Sequence, residues 1–303
     1  MPRGSVPSVG ARVGAVVTAF QPDEGLRRAC DSLAGQVDLV VVVDDGSAAP
    51  DEALLSQCAA GGAVVVRHPD NRGIGAALNT GVRTVLERLR GDDVCVLTLD
   101  QDSVVPDGYV PALLDARRRA QAAGVQVGMV GPERAGRVRA ASGRRRGGVV
   151  RSREPIQSGL LVPRRTFDTL GLFADELFID GVDTEFFLRV TSRGLAAIVA
   201  PGVRLEHQLG RVHRVRVPGA GGAGGIPLVH ALPYRYYYIA RNRVLLLRRF
   251  WRVAPRWALT VVLRDVRHLL VTAALVPGRR QRLANTAVGL RDGVRGVVGR
   301  RPG

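Results

Sequence analysis

The chain has 303 residues, 46% apolar and 23% charged, a composition that excludes a disordered or fibrous protein and suffices for one large α/β domain or two smaller ones. Its three cysteines (Cys30, Cys58, Cys95) are an odd number without metal-ligand spacing, which excludes a disulfide framework and reads as free thiols of a reducing compartment. The net charge of +17 lies wholly in residues 207–303, where 19 arginines face only Asp265 and Asp292, while residues 1–206 balance 25 arginines against 25 acids.

Along the chain, "MPRGSVPSVGARVG" lacks an apolar core, so no secretory leader is expected. A strand is predicted over 13–20, an amphipathic helix over 23–35 and a buried strand over 37–47 that ends in "DDGS". A helix over 51–62, a strand over 63–68, a helix over 74–91 and a strand over 93–100 follow. This alternation predicts βαβ units, hence an α/β fold whose sheet is mostly parallel with helices on both faces. Ligands of such sheets bind at the carboxyl ends of the strands, the edge where both "VVVVDDGS" and "VCVLTLDQDS" end.

Beyond Asp107 the pattern gives a helix (107–123), a strand (125–130) and an Arg/Gly-rich loop (133–148). "IQSGLLVP" reads as a strand with Ser158–Gly159 inside it, 177–194 as a helix with acids at its start, and 196–210 as a strand. Residues 218–227, "PGAGGAGGIP", are too rich in glycine to pack and read as a flexible loop. Residues 228–303 then form a basic, helical C-terminal region.

Three acid clusters carry the chemistry. Asp44 and Asp45 either cap the turn at Gly46 or accept from the imide N–H of a pyrimidine base. Asp100 and Asp102, one residue apart at a strand tip, suit a hard divalent cation together with a diphosphate. Between them "HPDNRGIGAALNTG" is either a plain loop-to-helix junction capped by Asn71 or a helix start whose amides at Gly73 and Gly75 hold a diphosphate. In "IDGVDTEFFLRV", Asp180, Asp183 and Glu185 are more carboxylates than helix capping needs, and crowding raises a carboxyl pKa toward that of a general base. His207, at a strand end after this cluster, is structural or a metal ligand.

In this order "VVTAFQPDEGL", "VVVVDDGS", "NRGIGAALNTG", "LTLDQDS", "SGLLVPRRTFDTLGLF", "LFIDGVDTEFFLR", "LEHQLG" and "YYYIARN" resemble the family 2 inverting glycosyltransferases of GT-A fold, and among them the bacterial rhamnosyltransferases. The resemblance covers about residues 12–245. It implies a Rossmann-like catalytic domain over 1–217, with a nucleotide-sugar half over 12–106 and an acceptor half over 107–217. It implies donor binding by Thr18, Asp44, Asp45, Asn71, Gly73 and Asp100, and acceptor binding by Ser158 and Gly159. Asp102 and His207 would hold Mg²⁺ or Mn²⁺, and Asp183 would be the base. Many relatives carry Glu-Asp at the base, whereas this chain has Val182–Asp183; the following "FFLR" sets the register, and Glu185 is the second choice.

The activity implied is inverting transfer of a sugar, L-rhamnose from dTDP-rhamnose in the first instance, to a cell-surface glycan or polyprenyl-linked acceptor. UDP-galactofuranose and UDP-N-acetylglucosamine are the alternative donors. A non-catalytic basic module for membrane or nucleic acid is the alternative of another class; it leaves the acid-tipped strands unexplained, and no nucleic-acid partner is expected. In the C-terminal region Pro255 divides the apolar stretch, and Arg264, Asp265, Arg267 and His268 interrupt it, so no spanning helix is expected. Leucines, tryptophans and arginines sharing one stretch suit either a helical cap packed on the catalytic domain, its arginines solvated, or helices lying on an anionic membrane surface, which would place the protein on the cytoplasmic face of the plasma membrane.

Overall fold

The computed structural model describes residues 10–49, 51–136, 138–146, 148–206, 211–215 and 226–301. The alternation read from the first hundred residues is present as β1 (Arg12–Ala19), α1 (Glu24–Ser32), β2 (Leu39–Asp44), α2 (Glu52–Ala60), β3 (Val64–Arg67), α3 (Ile74–Arg88) and β4 (Val94–Asp100). Next come α4 (Tyr109–Ala122), β5 (Val127–Ala135), β6 (Val138–Arg139), β7 (Ala141–Arg146), β8 (Val149–Ser152), β9 (Leu160–Pro163) and α5 (Arg164–Leu170). A 3₁₀ turn (Asp175–Leu177) leads to α6 (Val182–Ser192), β10 (Ala196–Leu205), β11 (Arg211–Val215) and β12 (Ile226–His230). Three helices end the chain: α7 (Arg235–Phe250), α8 (Pro255–Leu275) and α9 (Arg279–Arg295).

The main sheet runs β3-β2-β1-β4-β9-β5-β10-β8-β7, with β6 beside β5. β3, β2, β1 and β4 pair in parallel, as do β5 and β10, while β9 runs antiparallel between β4 and β5. The valine-rich central strands are buried on both faces, which is why they read as continuous apolar runs. One apolar layer joins Leu26, Leu33, Leu97, Leu113 and Ile198; the other joins Val16, Leu78, Phe167, Phe186, Leu246 and Phe250. Because Leu246 and Phe250 lie on α7, the first C-terminal helix completes the second layer.

Several expected elements differ. The 133–148 stretch forms β6 and β7, not a loop: β7 pairs antiparallel with β8, whose buried Val149 and Val150 recruit a polar segment to the sheet edge. β9 begins only at Leu160, because Gly159 turns the chain at φ +86° before it. α6 starts at Val182, not 177, since Phe178, Asp180 and Gly181 all take positive φ. Of the glycine-rich stretch, residues 218–225 lie outside the described residues, and 226–227 begin β12.

No helix among the described residues is long and apolar enough to cross a membrane. α9 lies close along α7: a Cβ at Gly289 would run into the backbone carbonyl of Tyr237, and one at Gly293 would come within 2.7 Å of that of Arg241. Gly289→Val should therefore force the two helices apart, costing about 1–3 kcal/mol. Urea unfolding measures the loss; a variant as stable as its parent contradicts the close packing.

Candidate active site

The parallel strands converge on one edge. Register aligns Thr18 of β1 with Asp100 of β4, and the neighbouring Ala19 with Asp44 of β2. The strand order reverses about β1, and the crevice at such a switch point is where open α/β sheets bind ligands. Here it is a cleft of about 700 Å³ lined by Thr18, Asp45, Asn71, Gly73, Asp100, Asp102, Ser158 and Asp183, among others. Eight of the twelve residues named from the sequence thus face one space.

The strand tips are ordered by hydrogen bonds. Asp100 Oδ1 accepts from Thr18 Oγ1 at 3.4 Å and from the Gln157 side-chain amide. Its backbone N–H donates to Ser158 Oγ at 3.1 Å, and Ser158 Oγ shares a 2.7 Å hydrogen bond with Ser103 Oγ. Gly159 lies outside the cleft wall, its N–H donating to Thr98 O (2.7 Å) and its carbonyl accepting from Tyr109 Oη (2.8 Å). Gly159 anchors the turn behind β4.

The two acids of "DDGS" separate. Asp44 is fully buried and outside the cleft; Ser47 Oγ donates to its Oδ1 at 2.5 Å and Arg67 Nε lies 3.4 Å from its Oδ2. The side chain closes the β2 turn. Asp45 does line the cleft, while accepting from the backbone amides of Arg72 (3.0 Å) and Gly73 (2.8 Å) and meeting His68 Nδ1 at 2.8 Å. The start of α3 is consequently no open diphosphate cradle: Gly73 N–H is taken by Asp45 and Ile74 N–H by Phe178 O (2.9 Å). Asn71 is not the helix cap either; Gly73 takes that position, at φ +92°.

Asp183 stands across the cleft at the start of α6. Desolvation pushes its carboxyl up to about 6, helped by the charges of Glu154 and Asp180 and opposed by the Thr184 N–H, which donates to it at 2.7 Å. Glu185 points away, fully buried; Arg189 Nε donates to both of its oxygens at 2.9 Å and Arg249 Nη1 lies 3.2 Å off. The second choice of base is corrected on this ground: a carboxylate held by two guanidinium groups in the core is withheld from the cleft.

The segment carrying Asp180 toward Asp183 is held by α7, a contribution the sequence reading missed. Asn242 Nδ2 donates to the carbonyls of Leu177 (2.9 Å), Ile179 (2.8 Å) and Asp180 (2.7 Å). Arg241 Nη2 donates to Leu177 O (2.9 Å), and Tyr238 stacks on Phe178 with centroids 5.1 Å apart. Arg235 pairs with Asp180 through Nη2 (2.6 Å) and Nε (3.1 Å). Against burial, which lowers it, the charges of Asp180 and of Asp100 hold Arg235 above its ordinary pKa. Tyr234, Arg235, Tyr238 and Arg300 all line the cleft. Of these residues only Tyr238, Arg241 and Asn242 fall in "YYYIARN", a motif that gave no direction for its side chains, and Tyr234, Arg235 and Arg300 carried no signal.

Among the described residues no group of three or more His, Cys, Asp or Glu is arranged to hold a metal ion, and His207 lies outside them. The donors that are present nonetheless suit a hard divalent cation. Asp100 and Asp102 line one wall, and beside them the buried Gln157 Oε1 has no hydrogen-bond partner. Such an ion takes one or two carboxylates and completes its shell with phosphate oxygens and water.

Residues 15–170 match the glycosyl transferase family 2 model, so the chain belongs to that family. The dTDP-rhamnosyl transferase RfbF of Shigella flexneri is 31% identical over 144 residues, 48% of this chain and 46% of that protein, so the match spans less than half of the relative's length. The mannosyltransferase PcManGT from Pyrobaculum calidifontis, solved in complex with GDP-Man and Mn²⁺, superposes with a TM-score of 0.57 at 17% identity, covering 95% of this chain and 88% of that one. At that identity the likeness shows the GT-A fold alone.

Replacing Asn242 with Ala strips the donor from three carbonyls and should cost about 2–3 kcal/mol of stability. Denaturant unfolding gives the number. A loss below about 0.5 kcal/mol means that the 177–180 segment holds itself without α7.

Proposed function

We propose that the chain is an inverting glycosyltransferase that moves a hexose from a nucleotide-diphosphate donor to a hydroxyl of a glycan or polyprenyl-linked acceptor. The observation that carries this reading is Asp183, raised to about 6, in one cleft with the strand-tip acids Asp100 and Asp102. Similarity to the dTDP-rhamnosyl transferase of Shigella flexneri supports dTDP-rhamnose as the donor. On this reading residues 12–106 form the donor half, with Asp45 and Asn71 toward the nucleotide and Thr18 and Asp100 toward the diphosphate; 107–217 form the acceptor half.

The chemistry follows from the carboxyls. Asp183, ionised above about pH 6, accepts the proton of the acceptor hydroxyl. The freed oxygen lone pair forms the new bond at the anomeric carbon from the face opposite the leaving group. The old C–O bond breaks, its electron pair departs with the nucleoside diphosphate, and the anomeric configuration inverts. Asp102, with Asp100 beside it, would hold Mg²⁺ or Mn²⁺, and His207 is proposed to join them. Bound there, a divalent cation offsets the charge that gathers on the diphosphate. Arg235 and Arg300 add fixed positive charge to the same cleft.

Asp183→Asn should retain donor binding and lose about 10²–10⁴-fold in transfer. The activity of the parent should rise with pH through about 6 and level off above, since the base works only when ionised. A folded-state value of about 6 against 3.8 makes ionised Asp183 a cost to the fold, absent below pH 3.8 and fully present above 6. The Asn variant should accordingly match or exceed its parent in stability at pH 7.5, by up to roughly 2 kcal/mol. A pH-independent rate, or an active Asn variant, removes Asp183 from this role.

Asp102→Ala should abolish nucleotide diphosphate release in a panel of nucleotide sugars while leaving the unfolding midpoint within about 1 kcal/mol of the parent. Turnover that persists in chelator discards the cation. Preference for a UDP-sugar over dTDP-rhamnose in the same panel discards the rhamnosyl assignment and leaves the reaction class in place.

A further inference from the structure

α8 is a 21-residue helix with only Val261 and Thr272 buried. Trp257 packs its first turns against the second apolar layer, and polar contacts attach the rest. Asp265 accepts from Arg243 Nε at 2.5 Å, His268 stacks on Tyr236 at 6.1 Å between centroids, and Arg282 Nη2 donates to Thr272 O at 2.8 Å. Opposite Val261 and Thr272, at spacings of four, three and four residues, stand Leu259 (66% exposed), Leu263 (63%), Val266 (52%) and Leu270 (66%). That spacing places the four on one line along the helix, an apolar ridge turned to solvent. Trp251 and Val253, just before the helix, are exposed as well.

Charge accompanies the ridge. Arg256 stands one turn before Leu259, and Arg267 between Leu263 and Leu270, so both flank the apolar line on the same side. Neither has an ion-pair partner among the described residues, and the one acid of α8, Asp265, is already held by Arg243. A surface that is apolar in the middle and cationic along its flank complements an anionic lipid interface, where leucines enter the acyl boundary and arginines remain among phosphates. The cleft lies near this helix: Arg264 Nη1 is 3.4 Å from Glu154, which accepts from Thr184, the neighbour of Asp183.

We propose that the outer face of α8, the row Leu259, Leu263, Val266 and Leu270 with Arg256 and Arg267 beside it, docks the protein on an anionic bilayer. The surface stands apart from the transfer reaction and needs no nucleotide sugar to be tested. Where the acceptor is lipid-linked, the docked helix sets the mouth of the cleft beside the plane that holds it.

Flotation of the full chain with vesicles decides the matter. With vesicles of phosphatidylcholine and phosphatidylglycerol the protein should float at low salt and release as salt rises. Leu263→Asp combined with Leu270→Asp should lower the bound fraction about tenfold or more, with thermal unfolding and donor binding unchanged because both side chains are exposed. The milder pair Leu259→Ser and Val266→Ser should show the same loss in smaller degree, which guards against a misfolded first variant. Arg256→Gln with Arg267→Gln should remove the preference for phosphatidylglycerol over pure phosphatidylcholine. The proposal is overturned by a parent that does not float, by leucine variants that float as the parent does, or by a parent dimer that the leucine changes make monomeric without any vesicle binding by the parent.

Discussion

Three backbone carbonyls, those of Leu177, Ile179 and Asp180, converge on the side-chain amide of Asn242. The α6 side of the cleft depends on that convergence. Phe178 and Asp180 both take positive φ, a conformation that non-glycine residues adopt only where the surroundings impose it. The imposed turn leaves carbonyls pointing inward, and buried carbonyls without donors are expensive. α7 supplies those donors from Arg241 and Asn242, and α9 backs α7 through the glycine contacts at 289 and 293. The first helix of the basic C-terminal region is thereby tied into the architecture of the site.

The β2–α3 side of the cleft rests on a similar device with the polarity reversed. Asp45 is a carboxylate that collects amides: those of Arg72 and Gly73 donate to it, and His68 meets it from β3's end. This holds the 70–73 loop against the β2 tip, so that Asn71 and Gly73 face the cleft next to Thr18 and Asp100. Asp44 serves the turn itself. The paired acids of the motif thus divide between support and cleft lining, a division made by the alternation of side chains at the end of an extended strand.

The cleft is rich in acids and draws its cations from the C-terminal region. Asp45, Asp100, Asp102, Asp180 and Asp183 line it, with Arg235 and Arg300 brought from the far end of the chain. Arg235 pairs with Asp180, while burial raises the carboxyl of Asp183, three residues on, to about 6. The excess positive charge of the C-terminal third therefore has two destinations. Part of it enters the cleft or the α7 clamp, and part remains on the exposed surface of α8.

The strand–helix alternation, the acid-tipped strands and the basic last third were legible in the sequence because they are local. A buried parallel strand must be a continuous apolar run, and acids can end it only at an edge that faces solvent or ligand. The parallel order about β1, which brings Thr18, Asp45 and Asp100 together, follows from the same βαβ pattern. The antiparallel insertion of β9, the edge pairing of β7 and the late start of α6 were decided in three dimensions. Each turns on a long-range partner: β4 and β5 for β9, β8 for β7, and α7 for the turn before α6. The site divides in the same way. Asp183 could be named from its neighbours in the chain, but the burial that sets Glu185 apart from it, between Arg189 four residues on and Arg249 64 residues on, is decided by packing. Sequence determines which residues can carry charge into a fold; only tertiary packing decides which of those charges are cancelled and which are left facing the cleft.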